Sequence, residues 1–200
     1  MKKLLLLLVI LACFISINSQ VLIIHKSNIT YYDTTKKCPV WCKYVLKDRK
    51  GQFSRPTSFH FDPKLQTKNQ TSPSQLESVD AFGYDIGHLS PNDDFRFDSL
   101  SNIESMYVTN VAPQISSFNR GPWKRLENYT RHLSTINDSV IVITSVIVSN
   151  KIINGVYVPD FFVKQLIVKG DTVTYSMPNS KGDNKFETYK VPNFTIDKTK

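Results

Sequence analysis

Glycine is scarce in this sequence, with 7 residues among 200, and proline supplies another 10. Such contents exclude collagen-like and linker-like chains, and no repeat at a period of about 20–50 residues points to a solenoid or propeller. Cysteine is scarcer still, at 3 residues, and no second cysteine pair accompanies Cys38 and Cys42, which argues against a zinc site. With 40% hydrophobic and 21% charged residues, the chain has a globular balance, and its length favours one domain.

The one long hydrophobic run stands at the start of the chain. Leu4 to Ile15 is apolar, follows Lys2 and Lys3, and gives way to polar residues. This order predicts a secretory signal peptide over residues 1–19, a single domain over residues 20–200, and a secreted protein without a membrane anchor. A membrane anchor is the alternative, but the run is shorter than the roughly 20 apolar residues that span a bilayer.

Removal of the leader leaves 23 basic against 17 acidic residues, a net charge of +6, and such a surface attracts polyanions. In an oxidising compartment we expect a disulfide between Cys38 and Cys42. A straight strand would hold these residues too far apart, so the bridge requires a turn at Pro39–Trp41; two free thiols are the alternative. The secreted chain would also carry candidate glycan sites at five Asn-x-Ser/Thr sequons, namely Asn28, Asn69, Asn128, Asn137 and Asn193.

The hydrophobic pattern predicts an α+β fold with a central, mostly antiparallel sheet. Residues 20–37 read as a loosely held arm, and residues 64–80 as a loop. Turns at Asn154-Gly155 and Lys169-Gly170-Asp171 fit hairpins. Predicted strands cover Trp41–Leu46, Val140–Val148, Val156–Val158, Phe161–Val168 and Thr172–Tyr175.

One helix is predicted after Asn119, with Pro122 in its first turn, where proline is tolerated. Leu126, Tyr129 and Leu133 lie at i, i+3 and i+7 and form an apolar stripe. At about 100° per residue, Asn119, Glu127 and Arg131 fall within a ~120° arc beside that stripe. The helix therefore presents an amide, a carboxylate and a guanidinium together. The alternative for Glu127 and Arg131 is an exposed i, i+4 ion pair.

Chemistry-bearing residues concentrate between residues 82 and 131. The segments, in order, are Asp85-Ile86-Gly87-His88-Leu89-Ser90-Pro91, Thr109-Asn110-Val111-Ala112-Pro113-Gln114, Asn119-Arg120-Gly121-Pro122-Trp123-Lys124-Arg125-Leu126-Glu127, and Arg131. They resemble the DNA/RNA non-specific endonuclease family, the ββα-metal or His-Me finger nucleases. The family pattern is Asp-Arg-Gly-His-Leu-x-Pro, Ser/Thr-Asn-x-x-Pro-Gln, Asn-x-x-x-Trp-x-x-Leu-Glu, then Arg. Weaker similarity extends over about residues 39–196.

The resemblance implies a ββα-metal motif and a role for each matching residue. His88 matches the family's general base, and a histidine with a pKa near 6.5 suits that task at neutral pH. Asn119 matches the metal ligand, for Mg²⁺ with Mn²⁺ as a substitute, since an amide oxygen is a hard ligand. Glu127 would orient metal-bound waters, Arg131 would meet phosphate, and Asp85 would either hydrogen-bond the backbone or orient its neighbours.

The resemblance also implies DNA and RNA as substrates and admits a homodimer. Asn110 matches a family asparagine near the site, with a buried structural amide as the alternative. Arg55 resembles an upstream family arginine, and Arg120 is a further candidate for substrate binding.

One residue departs from the pattern: Ile86 stands where the family has arginine. The loss of one charge-assisted phosphate contact corresponds to about 1.5–3 kcal/mol, or roughly 10–100-fold in rate. An active secreted nuclease of DNA and RNA is the first hypothesis. A weakened or dead relative that only binds nucleic acid is the second, and a structural domain that keeps the fold alone is the third.

Overall fold

The computed structural model describes residues 19–182 and 185–193. Nearly all of the predicted signal peptide, residues 1–18, therefore lies outside the described part of the chain. Within the described part, no helix combines the length and the apolar character needed to cross a bilayer.

A seven-stranded sheet forms the body of the molecule, and every neighbouring pair in it is antiparallel. Its spatial order is β1-β2-β3-β6-β9-β10-β11. The strands are β1 (Gln20–Ile24), β2 (Asn28–Asp33), β3 (Cys38–Leu46), β6 (Val140–Ile147), β9 (Phe161–Val168), β10 (Asp171–Pro178) and β11 (Lys190–Val191). The α+β expectation with a mostly antiparallel sheet is confirmed.

Two smaller ribbons complete the β structure. Strand β4 (Tyr84–His88) pairs antiparallel with β5 (Val111–Ile115), and β7 (Ile152–Ile153) pairs with β8 (Val156–Tyr157). The helices are α1 (Pro73–Glu77), α2 (Ser99–Glu104), α3 (Ser116–Phe118) and α4 (Lys124–Ile136). Residues 64–80, expected as a loop, thus contain the short helix α1.

The predicted hairpin turns are confirmed. Asn154 and Gly155 have φ angles of 50° and 78°, and Lys169 and Gly170 have φ angles of 51° and 94°. Two successive positive φ angles in a two-residue loop suit the right-handed twist of the strands that it joins. These turns connect β7 to β8 and β9 to β10.

The expectation of a loosely held arm at residues 20–37 is wrong. Strands β1 and β2 form a hairpin whose register pairs Ile24 with Ile29, and β2 pairs with β3 through Tyr31 and Trp41. The polar residues 25–27 suggested irregular chain, but in the structure they form the connection between β1 and β2. The pairing that orders the arm comes from β3, which local sequence does not reveal.

The expected disulfide is also corrected, because Cys38 and Cys42 are both free and buried. They lie in the same continuous strand β3, so the turn that a bridge requires at Pro39–Trp41 does not form. Four residues of strand span about 13 Å, well beyond the reach of a disulfide. Burial raises the pKa of the Cys38 thiol to about 12, so it stays protonated at neutral pH.

The ββα unit consists of β4, β5 and the helical segment that follows. Helix α4 packs on the large sheet through a buried cluster that includes Phe118, Trp123, Leu126 and Phe162. The regular helix begins at Lys124, later than predicted, because residues 119–123 form a wider, irregular turn. Gly121 leaves helical geometry there (φ −101°, ψ −112°).

Candidate active site

A cleft of about 380 Å³ opens between β4, the loop that follows it, and the start of α4. It contains most of the residues that the sequence motifs single out. Its lining residues are Arg55, Asp85, Ile86, His88, Pro91, Asn92, Asp93, Asn119, Arg120, Lys124, Glu127 and Arg131. Of the eight predicted site residues, only Asn110 lies outside this set.

His88 is the last residue of β4 and lines the cleft. Its Nε2 atom is buried without a hydrogen-bond partner among the described residues. The Phe59 ring lies 5.5 Å from the imidazole, centroid to centroid. Burial, and then the charge of Arg55, lower the pKa of His88 from 6.5 to about 3. The imidazole is therefore neutral at pH 7 and able to accept a proton.

The glycine before His88 is required by close packing. A Cβ atom at Gly87 would lie 1.9 Å from Oε1 and 2.3 Å from Cδ of Gln114, a residue that is fully buried. Gln114 belongs to β5, directly across the ribbon from Asp85. The glycine of the first motif and the glutamine of the second therefore fit together and fix the path of β4 up to His88.

Asp85 organises the opposite side of the cleft. It accepts hydrogen bonds from Asn119 Nδ2 at 2.9 Å, from Arg120 Nε at 2.9 Å and Nη2 at 2.6 Å, and from Ser116 Oγ at 2.8 Å. Burial acts to raise the pKa of Asp85, but these donors outweigh it and hold the pKa below 3.8. Because a carboxylate only accepts, Asn119 must present its NH₂ group to Asp85, and its Oδ1 is left for another partner.

Glu127 lies on α4 at the cleft. Burial raises the pKa of its carboxyl from 4.5 to about 7, while the positive charge of Lys164 acts to lower it. Lys164 is fully buried on β9, and its Nζ atom lies 4.4 Å from the centroid of the Trp123 ring. Sequence patterns placed Lys164 in a strand but gave no sign that its charge acts on this site.

Arg131 does not form the i, i+4 ion pair with Glu127 that stood as the alternative. Its Nη1 donates to Oδ1 of buried Asp94 at 2.9 Å, and its Nη2 donates to Oδ1 of Asn128 at 2.8 Å. Tyr44 Oη donates to the other Asp94 oxygen at 2.7 Å. Asp94 and Tyr44 were missed by sequence reasoning, although Asp94 follows the Leu89-Ser90-Pro91 segment by only three residues.

The prediction that Asn110 binds substrate is corrected. The side chain is buried, and its Oδ1 accepts from Ser90 N at 3.0 Å and from Ser90 Oγ at 2.6 Å. Its Nδ2 donates to the backbone oxygens of Ser90 and Ser105. Every hydrogen bond of this amide is thus used inside the protein, as the structural alternative predicted. It fixes the loop that follows His88.

The two remaining arginines of the cleft lie at its rim. Arg55 is exposed, and the Arg120 side chain is 72% exposed despite its ion pair with Asp85. Ile86 is half-buried: it lines the cleft and also packs against an apolar cluster that includes Val79 and Tyr84. The position where the family has arginine therefore contributes no charge to the cleft.

Comparison with known proteins gives a family match over nearly the whole chain. A family described as DNA/RNA non-specific endonuclease matches residues 14–200. Human "Endonuclease G, mitochondrial" is 31% identical over 198 residues, covering 87% of this chain and 66% of its own. "Nuclease 1, mitochondrial" of Schizosaccharomyces pombe is 32% identical over 100 residues, covering 50% of this chain and 30% of its own. This chain thus spans just under two thirds of the length of its human relative.

The fold has a counterpart among solved structures. The crystal structure of the EndoG/EndoGI complex, described as showing the mechanism of EndoG inhibition, contains a chain that superposes with a TM-score of 0.75. That chain is 23% identical, and the match covers 86% of this chain and 80% of that one. This likeness supports the fold, including the ββα unit.

The prediction of a secreted protein is wrong by this comparison. The two relatives above are both named as mitochondrial, and they point to mitochondria rather than to the extracellular space. The glycan sites, which assumed secretion, lose their basis as well. Asn28 is in any case buried, and its Nδ2 faces Ser90 Oγ at 3.5 Å.

Proposed function

Because the chain belongs to the DNA/RNA non-specific endonuclease family, we propose that it hydrolyses phosphodiester bonds in DNA and RNA with Mg²⁺ as cofactor. The observation that carries the proposal is the meeting of His88, Asn119, Glu127 and Arg131 in one cleft. Packing alone does not require these four side chains together. The excess of basic residues favours a polyanionic substrate.

In this proposal His88 is the general base. Its lowered pKa keeps the ring neutral, so the imidazole can take a proton from the attacking water. Gly87 and Gln114 fix the backbone that carries the ring, and Phe59 packs beside it. Arg131, anchored by Asp94, offers its remaining N–H groups to the phosphate.

Asn119 fits the role of a magnesium ligand. Its Oδ1 is a neutral hard donor that Asp85 leaves free by accepting from Nδ2. Glu127 supplies a nearby carboxylate that would accept hydrogen bonds from water at the site. When bound, Mg²⁺ neutralises phosphate charge and stabilises the leaving oxygen. It keeps several waters, so one protein ligand is chemically sufficient.

A second candidate function follows from Ile86. Because position 86 carries no cation, the same cleft also fits a family member that binds nucleic acid but cleaves it poorly. Digestion of plasmid DNA and of RNA, with Mg²⁺ and with EDTA, separates the two. Cleavage that requires Mg²⁺ supports the nuclease. Binding of the nucleic acid without cleavage supports the binding protein.

A further inference from the structure

Asp94 is buried beside Arg131, which lines the cleft, and the Asp94 side chain is 2% exposed. Both of its carboxylate oxygens are used: Oδ1 accepts from Arg131, and Oδ2 accepts from Tyr44. Tyr44 belongs to β3 of the large sheet, and its ring packs against Phe95 at 5.2 Å. The orientation of Asp94 is therefore set by the rigid sheet.

This contact determines where Arg131 points. One arm of the guanidinium is held by Asp94 and the other by Asn128, while the side chain stays 28% exposed. A guanidinium has five N–H donors, so donors remain for a phosphate after these two bonds. A planar fork that is already fixed loses little freedom when it binds an anion.

Glu127 shares helix α4 with Arg131, but the two do not form an ion pair. Glutamate and arginine four residues apart on a helix ordinarily attract each other. Among the residues that the structure describes, Arg131 pairs with Asp94 and no ion pair joins it to Glu127. Glu127 therefore keeps a carboxylate that faces the cleft.

We propose that Asp94, braced by Tyr44, is a positioning residue that aims Arg131 at the substrate phosphate and keeps it from pairing with Glu127. The inference rests on the proposed nuclease function, since Arg131 is taken to meet phosphate. Asp94 itself touches no reacting atom.

A double-mutant cycle between Asp94→Asn and Arg131→Ala tests the proposal. Asparagine keeps an acceptor of similar size and removes the charge. We expect Asp94→Asn to lower kcat/KM about tenfold, because a misplaced catalytic group commonly costs that much or more. In the Arg131→Ala background the same change should alter kcat/KM less than twofold, because no guanidinium is left to place. Losses that multiply, or a variant with wild-type kcat/KM, would overturn the proposal.

Binding of a fluorescent oligonucleotide in EDTA supplies a readout that needs neither metal nor cleavage. Asp94→Asn should weaken binding several-fold in the wild-type background and leave it unchanged in the Arg131→Ala background. If the wild-type protein does not cleave nucleic acid, the proposed function fails, but the binding measurement still tests the coupling between Asp94 and Arg131. If Asp94→Asn weakens binding equally in both backgrounds, Asp94 does not act through Arg131 and the proposal is overturned.

Two further variants separate positioning from stability. Asp98→Asn removes another ion-paired acid of the same segment, which binds Lys26 at 2.7 Å and caps α2. It should lower Tm and leave kcat/KM unchanged. Tyr44→Phe keeps the ring, removes only the hydroxyl, and should lower kcat/KM in the same direction as Asp94→Asn but less. If Asp94→Asn does not fold, the cycle is run with Tyr44→Phe, and additive losses there overturn the proposal.

Discussion

Asn119 donates from Nδ2 to Oδ2 of Asp85 at 2.9 Å, across 34 residues of sequence. A residue of the Asp-x-Gly-His segment thus orients Asn119, which begins the segment that leads into α4. Because Asp85 can only accept, the bond leaves the amide oxygen of Asn119 as the free end. The aspartate of the Asp-x-Gly-His segment therefore orients the candidate metal ligand, while in the proposed mechanism the histidine three residues later acts on the water.

Asn119→Ala should remove the only amide oxygen that this arrangement frees. We expect a lower cleavage rate together with a higher Mg²⁺ concentration at half-maximal rate. A magnesium titration of the plasmid-cleavage rate measures both, with Asn150→Ala on an exposed turn as the control. An unchanged half-maximal Mg²⁺ concentration in Asn119→Ala would place the metal elsewhere.

Glu127→Gln should make the apo protein more stable at alkaline pH. The folded-state pKa of Glu127 is raised from 4.5 to about 7, so the fold binds a proton that the unfolded chain releases. Stability is therefore lost as the pH rises from about 4.5 through 7, and glutamine escapes this loss.

We expect the Tm difference, variant minus wild type, to be positive above pH 7 and to vanish near pH 4.5. Thermal melts in EDTA between pH 4 and 8.5 give this difference, with exposed Glu77→Gln as the control that shows no such trend. A Glu127→Gln difference that does not depend on pH would contradict the raised pKa. The same variant should lose cleavage, so the carboxylate would be kept for function at a cost in stability.

His88 should not titrate near the ordinary histidine pKa. Burial and Arg55 lower its pKa from 6.5 to about 3 in the folded state. The ring therefore stays neutral as the pH falls from 8 to 5. NMR titration of the histidine ring signals in EDTA, assigned by their loss in His88→Ala, checks this. A His88 midpoint near 6.5 would contradict it.

Sequence reasoning succeeded where the information is local. The strand Phe161–Val168 was predicted with its correct bounds and both hairpin turns were placed correctly, although Asp171 belongs to β10, because strand-forming and turn residues lie within a few positions. Seven of the eight predicted site residues line one cleft. They could be predicted because the motifs have the order and spacing of a known family. The helix prediction had the correct face but placed the start of the helix one irregular turn too early, since Gly121 departs from helical geometry.

The failures depend on contacts between distant parts of the chain. Asp94 meets Arg131 across 37 residues and Tyr44 across 50, so neither partner signals the other locally. Asn110 looked like a site residue because it stands in a motif, yet its bonds go to the loop after His88. Whether Cys38 and Cys42 can form a disulfide depends on whether β3 continues through Pro39. That continuity is set by the pairing of β3 with β2 and β6.

Ile86→Arg should raise the cleavage rate about 10-fold, the lower end of what one charge-assisted contact supplies. The side chain already lines the cleft, so a cation there can face the phosphate. Ile86 also packs on the apolar cluster, and we therefore expect a modest fall in Tm. Rate and Tm are measured on the same preparation. A lower Tm without any gain in rate would refute a vacant cation position beside His88.

Plasmid digestion by the wild type and by His88→Ala, with Mg²⁺ and with EDTA, tests the central claim that this cleft is a working phosphodiesterase. His132→Ala, an exposed histidine on α4 outside the cleft, controls for the loss of an imidazole. We predict cleavage by the wild type and by His132→Ala with Mg²⁺ only, and a loss of about 100-fold or more in His88→Ala, the scale of general-base catalysis. A His88→Ala variant that retains more than about a tenth of the wild-type rate would contradict the account.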